Sequence, residues 1–540
     1  MADDVTSLAA GRLALGYCWP QSVRPGASVA LHLSAPAGAV DVEVVRDGPG
    51  PAGGEVAWRG RVHEATPSPL PEDTPERGCG WPVAATIEIG EGWRSGLYLV
   101  RLSREGAEAW DPPTAWFVVR PAQPRPGAIV LALATNTWNA YNDAGGRNLY
   151  TGAVEMSFAR PLALGFLAKP DAGGARVVAG VRTYAHYTAD EGLSLWHGMS
   201  GWAGQERRFA AWAERSGIAL EYATNADLDD LDDLDDPGGA GPLARASLLL
   251  SVGHDEYWTW GMRDAVEGFL DRGGNAAFLS GNTCYWQVRL EAAPEEEPGP
   301  DGGPDAGTGG PAPHRMIAWK HRFAEDPVTV TDRGHLTTTM WADPLLGRPE
   351  AALTGLSFTR GGYARTAASV PRGSGGYEVH RPGHWLLAGT ALARGDVLGG
   401  EAVVVGYECD GCALALEDGL PVATGEGGTP PGFEVVATAP ATPFDRETTP
   451  LPLAPGGEYE LEFHARRLLG SDAPEDQDRL RHGHAVLGTY ERPGGGTVVS
   501  VGCTEWAYGL DDPAVATITR TIVDRLAPGA VPPLDALAPD

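Results

Sequence analysis

The pattern of apolar and polar positions changes character once along this chain. Between about Leu13 and Pro121 the apolar residues come in short alternating runs bounded by Gly and Pro, as in Ser28-Val-Ala-Leu-His-Leu33, Val40-Asp-Val-Glu-Val-Val45 and Gly96-Leu-Tyr-Leu-Val-Arg-Leu102. A period of two sends one face of each strand to a core, and regular spacing of such runs predicts an antiparallel β-sandwich, immunoglobulin-like in outline. The run Ala115-Trp-Phe-Val-Val119 closes it and leads into Pro121-Ala-Gln-Pro-Arg-Pro126, read as a stiff linker. Residues 1–121 are therefore expected to form one domain and residues 126–540 a second.

Beyond the linker, Ala128-Ile-Val-Leu-Ala-Leu-Ala134 is apolar throughout, as a strand buried on both faces must be. Arg207 to Ser216 has helical spacing; strands are predicted at Ala219–Ala223, Leu248–Val252 and Asn275–Leu279, with a helix from Met262 to Asp271 closed by Gly273-Gly274. This alternation predicts a doubly wound α/β layer. Further strands are expected at Ala402–Val405 and Thr497–Val501, and a last amphipathic helix at Pro513–Leu526. Gly-rich residues 330–400 and 430–495 are read as β-rich elaborations. Two acidic stretches, 227–242 with its Leu-Asp-Asp repeat and 291–313, are read as solvated loops. The first lacks the Gly turn and terminal Glu of an EF-hand, which disfavours calcium.

Composition narrows the function classes. A balance of 41 basic to 71 acidic residues, net −30, repels nucleic acid and anionic membrane surfaces. Met1-Ala-Asp-Asp-Val5 has neither a basic nor an apolar leader region and no run of apolar residues is long enough to span a bilayer, so a soluble cytoplasmic protein is expected. Six cysteines are too sparse for a disulfide framework, and Cys409-Asp-Gly-Cys412 has zinc-knuckle spacing without a second ligand pair nearby.

Chemistry concentrates where strands end. The apolar run Leu248–Val252 delivers Gly253-His-Asp-Glu-Tyr-Trp258 into one turn, and the crevice beyond the carboxyl ends of such strands is where α/β sheets bind ligands. Asn136, Trp138, Tyr141 and Asn142 follow the first strand, Asn282 a later one, and Glu408 another. Carboxylate and phenolate oxygens suit a hard, highly charged cation. Plainer roles stay open: His254 capping a helix with Glu256 in its first turn, Tyr141 and Tyr150 as core aromatics, Asn282 as a turn residue, Glu408 paired with an arginine. Cys503, which also follows a strand, is a candidate nucleophile, although Glu505 is bulky where a nucleophile elbow needs a small residue. A non-enzymatic binding module is the remaining alternative.

Four motifs occur in a telling order: Thr135-Asn-Thr-Trp-Asn-Ala-Tyr-Asn142 with Gly145-Gly-Arg-Asn-Leu-Tyr150, Gly253-His-Asp-Glu-Tyr-Trp258, Arg272-Gly-Gly274, and Ser280-Gly-Asn-Thr-Cys-Tyr-Trp286. Together they resemble the large subunit of N,N-dimethylformamidase over roughly Pro126 to Ala527. The resemblance implies a layer like that of class I glutamine amidotransferases and one ferric ion per chain held by two tyrosines and a glutamate. Carried onto this sequence, the ligands are Tyr141, Glu256 and Tyr184, with Tyr187 and Tyr150 as alternatives for the second tyrosine. His254 stands beside the ligand carboxylate, and Asn282 and Glu408 take catalytic positions. The sequence departs from the family in Asp255, where a proline is usual, and in the long stretch from Glu291. It carries no sign of the family's separate small subunit, so a small-subunit partner and a homo-oligomer are both open. The expected activity is Fe(3+)-dependent hydrolysis of a small neutral amide, with general acid–base help from Glu408 or His254 and oxyanion stabilisation by Asn282.

Overall fold

The computed structural model describes residues 13–49, 54–104, 112–170, 176–229, 241–292, 314–365, 373–446 and 459–529. Its architecture is mixed α/β. The N-terminal alternation is realised as two sheets: Leu15–Trp19, Ser28–Ser34 and Val83–Glu88 in one, and Ser22–Val23, Ala115–Val119, Gly96–Ser103, Gly38–Arg46 and Glu55–Ala65, in that order, in the other. Val29, Leu31 and Ile87 from the first close over one core with Val40, Val42, Val44 and Phe117 from the second. The strands Gly96–Ser103 and Ala115–Val119 are buried on both faces. Tyr98, Val100 and Phe117 turn into that core, while Leu97, Leu99, Trp116 and Val118 turn into the main core of the molecule. That double burial is why Ala115-Trp-Phe-Val-Val119 is apolar throughout rather than alternating.

A nine-stranded sheet carries the rest, in the order Leu220–Thr224, Ala128–Leu133, Ala246–His254, Asn275–Gly281, Thr497–Ser500, Gly483–Glu491, Glu434–Ala441, Tyr377–Val379, Val397–Leu398. The first five are parallel and the remainder antiparallel. Period two again sorts the faces. Val130, Ala132, Leu249 and Phe278 meet Met262, Val266 and Phe269 of the helix Trp260–Asp271. Ile129, Leu131, Leu250 and Ala277 lie in the same core as Phe209 and Ala213 of Glu206–Arg215 and Ile518 and Ile522 of Pro513–Leu526. Each such side chain contributes roughly 1.5–3 kcal/mol by leaving water.

Sheet growth reverses beside Ala128–Leu133. The chain adds Leu220–Thr224 on one side of it and Ala246–His254 on the other. Their carboxyl ends therefore splay around a crevice, the usual ligand position in such sheets.

Four stretches differ from the sequence expectation, among them 430–495, where the helix Glu460–Leu469 stands within the region read as β-rich. Ala402–Val405 is a turn and not a strand: Val403 has φ 53, and Val404 and Val405 donate their amides to Gly399 and Gly375. The run is apolar because Val404 and Val405 are buried, not because it belongs to a sheet. In 330–400 the expected strands are few, and 3-10 turns such as Gly334–Leu336 and Trp385–Leu387 replace many of them. The acidic stretch begins buried rather than solvated, because Thr224-Asn-Ala-Asp227 is a capping box whose carboxylate accepts from the Thr224 amide at 2.7 Å and lies 3.0 Å from Arg120. Residues 230–240 and 293–313 of the two acidic stretches lie outside the described residues. Among the described residues no helix is long and apolar enough to cross a membrane.

Candidate active site

The crevice is furnished by three strand ends and one later strand. After Ala128–Leu133 the chain turns into the short helix Thr135–Tyr141, and the Thr137 hydroxyl accepts from the Glu256 amide at 2.9 Å. Asn148 folds the next turn back: its amide donates to the Tyr141 carbonyl at 2.9 Å and its oxygen accepts from the Tyr150 amide at 2.9 Å, laying Tyr150 against Tyr141. Asp255 and Glu256 sit between Ala246–His254 and the strand Tyr257–Thr259. Helix Trp260–Asp271 begins only after them, capped by Thr259 with its hydroxyl 3.0 Å from the Met262 amide, so neither His254 nor Glu256 caps it. Asn282, just past Asn275–Gly281, is held at φ 49, a conformation that side chains adopt at a cost. Glu408 opens the strand Glu408–Gly411.

These residues converge. The Tyr150 hydroxyl lies 2.7 Å from that of Tyr141 and 3.0 and 2.9 Å from the two carboxylate oxygens of Glu256. The Tyr257 hydroxyl donates to it at 2.9 Å, and the Lys320 ammonium donates to Tyr257 at 3.1 Å while lying 3.5 Å above the Tyr150 ring. On the other side His254 Nε2 is 2.7 Å from Glu408 and 3.3 Å from Glu256, with Nδ1 bound to the Met199 carbonyl at 2.8 Å. Asn282 donates to Glu408 at 3.2 Å, and its side-chain oxygen is buried without a partner among the described residues. Tyr141, Tyr150, Glu256, Asn282, Lys320 and Glu408 all line one cavity of about 360 Å³.

Burial dominates the electrostatics. It pushes the hydroxyls of Tyr141, Tyr150 and Tyr257 well above the ordinary phenol value, with the Glu256 charge adding to the effect. Burial alone would hold His254 neutral, but the Glu408 and Glu256 carboxylates outweigh it and keep the imidazole well above its ordinary value. Lys320 is pulled down to about 8 by burial, against the attraction of Glu256.

Of the residues singled out from sequence, Tyr141, Glu256, His254, Asn282 and Glu408 are brought together, although His254 stands behind Glu408 and does not itself line the cavity. Tyr184 is placed elsewhere: its hydroxyl donates to the Leu195 carbonyl at 2.7 Å and accepts from the Gly198 amide at 2.9 Å, and its ring stacks on His197. Tyr187 also packs beside His197, and Tyr150 holds the position beside Tyr141. Asp255 does not line the cavity, and its carboxylate is held by Ser251 at 2.9 Å and Asn225 at 3.3 Å. Cys503 is buried, does not line the cavity, and burial pushes its thiol up to about 12, far from the thiolate a nucleophile needs. Cys409 and Cys412 are buried free thiols.

Sequence reasoning passed over Lys320, although a signal was present. Of the 41 basic residues only Lys169 and Lys320 are lysines. A chain that uses arginine almost everywhere keeps a lysine here, buried and at φ 58.

The donor set fits a hard cation. Two phenol oxygens and a carboxylate meet within hydrogen-bond distance, and the phenols, pushed up by burial, need a strong local positive charge to ionise. Among the described residues no group of three or more His, Cys, Asp or Glu side chains offers an alternative cluster.

The family model described as N,N-dimethylformamidase beta subunit-like, C-terminal, matches residues 41–519. The N,N-dimethylformamidase beta subunit of Alcaligenes sp. is 34% identical over 79 residues, and that of Paracoccus aminophilus 33% over 79. In both cases the aligned stretch is 15% of this chain and 9% of the relative, so the similarity spans less than a tenth of those proteins.

Proposed function

The chain belongs to the N,N-dimethylformamidase beta subunit-like, C-terminal family, and from that premise we propose that it hydrolyses the C–N bond of a small-molecule amide. The observation that carries this reading is the meeting of Tyr141, Tyr150 and Glu256 oxygens beside Glu408 and Asn282 in a single cavity. We assign Tyr141, Tyr150 and Glu256 as the residues that would hold a ferric ion. Bound there, the ion supplies Lewis acidity to a carbonyl oxygen and acidity to a water.

The chain's own groups divide the remaining work. Glu408, which faces the cavity, takes the proton of a water as its oxygen adds to the amide carbon. Asn282 spends one N–H on Glu408 and has a second to offer the developing oxyanion. Glu408 then passes the proton to nitrogen, the C–N bond breaks, and acid and amine leave. His254, charged and fixed by the Met199 carbonyl, is a positioning residue that orients Glu408 and Glu256. Lys320 donates to the Tyr257 hydroxyl and lies over the Tyr150 ring, so it holds both tyrosines in place on the cavity wall.

The finer fold assignment goes with this reading: the two N-terminal sheets as a β-sandwich module, and the nine-stranded sheet as a glutamine-amidotransferase-like layer. A separate small subunit is a natural partner, because the relatives are named as beta subunits.

The test is amine release from a panel of small-molecule amides by iron-loaded protein. Wild type releases amine and acid in equal amounts, and Glu408→Gln slows release by about 100-fold or more with the fold retained. Release unaffected by Glu408→Gln, or dependent on Cys503, overturns the assignment.

A further inference from the structure

The cavity is larger than a minimal formamide needs and carries a third carboxyl that the proposed reaction does not use. Its volume of about 360 Å³ falls in the range of sites for drug-sized ligands, roughly 300–1,000 Å³. Its walls are largely aromatic, with Trp196, Tyr285, Trp286, Trp319, Phe444 and Tyr459 among the lining residues. Besides Glu256 and Glu408 the wall carries Glu460, whose carboxylate accepts from the Tyr363 hydroxyl at 2.8 Å and from the Phe444 amide at 3.4 Å. Tyr363 is itself fixed, its ring stacked on Phe444 at 3.7 Å and 4°.

An acid in the first turn of a helix, as Glu460 is, often serves only the helix dipole. That use works in water and gives no reason to bury the group on a cavity wall. Burial pushes the Glu460 carboxyl up to about 8, only partly offset by Tyr363, and the nearby Lys320 is turned to Tyr257 instead. Each carboxyl oxygen accepts one hydrogen bond and keeps a further lone pair that a donor from a ligand would satisfy.

Resting on the amide-hydrolase reading, we propose that the substrate is an amide bearing an aromatic or bulky apolar group with a hydrogen-bond donor, and that Glu460 receives that donor as a specificity-determining residue. Dimethylformamide is too small to fill such a cavity and carries no donor for Glu460.

Steady-state kinetics on the iron-loaded full chain test this with three substrates: N,N-dimethylformamide, N-benzylformamide, and N-benzylformamide carrying a para-aminomethyl group. In wild type the KM of the aminomethyl compound is lower than that of N-benzylformamide by about tenfold or more, and both are lower than that of dimethylformamide. In Glu460→Ala, or in Glu460→Leu should the first variant not fold, the ratio between the two benzyl compounds collapses toward one. A merely structural loss would affect both benzyl compounds alike and keep the ratio, and that result overturns the proposal. So does a wild type that handles dimethylformamide as well as the benzyl compounds, a result that leaves the amide-hydrolase reading standing. Hydrolysis of none of the three sinks both.

Discussion

At the scale of single residues the site turns on which tyrosine stands beside Tyr141. Sequence alignment of motifs favoured Tyr184, yet the hydroxyl that meets Tyr141 and Glu256 belongs to Tyr150, while that of Tyr184 is spent on Leu195 and Gly198. Tyr184→Phe is therefore expected to cost about 1 kcal/mol in denaturant unfolding and to leave ferric binding intact. Tyr150→Phe is expected to abolish ferric binding; equal iron affinity in the two variants would count against the assignment. The sequence made Tyr141, His254, Glu256 and Asn282 legible because each sits within a few residues of a strand end that periodicity reveals. Tyr150, Lys320 and Glu460 were not legible in that way. They reach the cavity by turns and loop packing, for which a single sequence carries no periodic signal, and only the scarcity of lysine marked Lys320.

At the scale of elements, precision comes from how closely strand ends approach. Gly281 closes Asn275–Gly281, and a Cβ there would lie 2.6 Å from the Thr504 amide nitrogen and 2.7 Å from the Glu408 carbonyl oxygen. Gly281→Ala must therefore push Asn282 and Glu408 apart. We expect a loss of about 1–3 kcal/mol in stability and a fall in kcat that exceeds any change in KM. Stability and kcat both within error of wild type would show that the contact is not rigid. The helices Glu206–Arg215, Trp260–Asp271 and Pro513–Leu526 and the parallel strands they cover were read from sequence to within about two residues, because their apolar spacing is imposed by packing on the sheet, whereas Val181–Asp190 and Glu460–Leu469 were not read as helices. Ala402–Val405 was misread for a related reason: burial makes a run apolar whether its amides join a sheet or, as here, a turn.

At the scale of the whole molecule, buried titratable groups set a pH profile. Burial raises the carboxyls of Glu206 to about 8 and of Glu350 and Asp410 to about 7, so the folded chain keeps protons that the unfolded chain, with its carboxyls near the ordinary 4.5 and 3.8, has already lost. Stability then falls as pH rises, until the last of these groups ionises near 8. Burial lowers His197, His321 and His464 from 6.5 to about 3, so the unfolded chain binds protons that the folded chain refuses, and stability also falls as pH drops below 6.5. The two slopes oppose each other between about 4.5 and 6.5, and denaturation midpoints should be flat there and decline on both sides. A net charge of −30 steepens the alkaline decline and makes it less severe in high salt. Midpoints that climb from pH 6.5 to 8 would contradict this balance. The central claim, that oxygens of Tyr141, Tyr150 and Glu256 form one set of donors to a trivalent ion, is tested most directly by titrating the protein with ferric iron and following the visible phenolate-to-iron charge-transfer band. The account predicts a band that saturates at one iron per chain, survives in Tyr184→Phe and vanishes in Tyr150→Phe. Saturation without a band, or a band that Tyr150→Phe leaves unchanged, would contradict it.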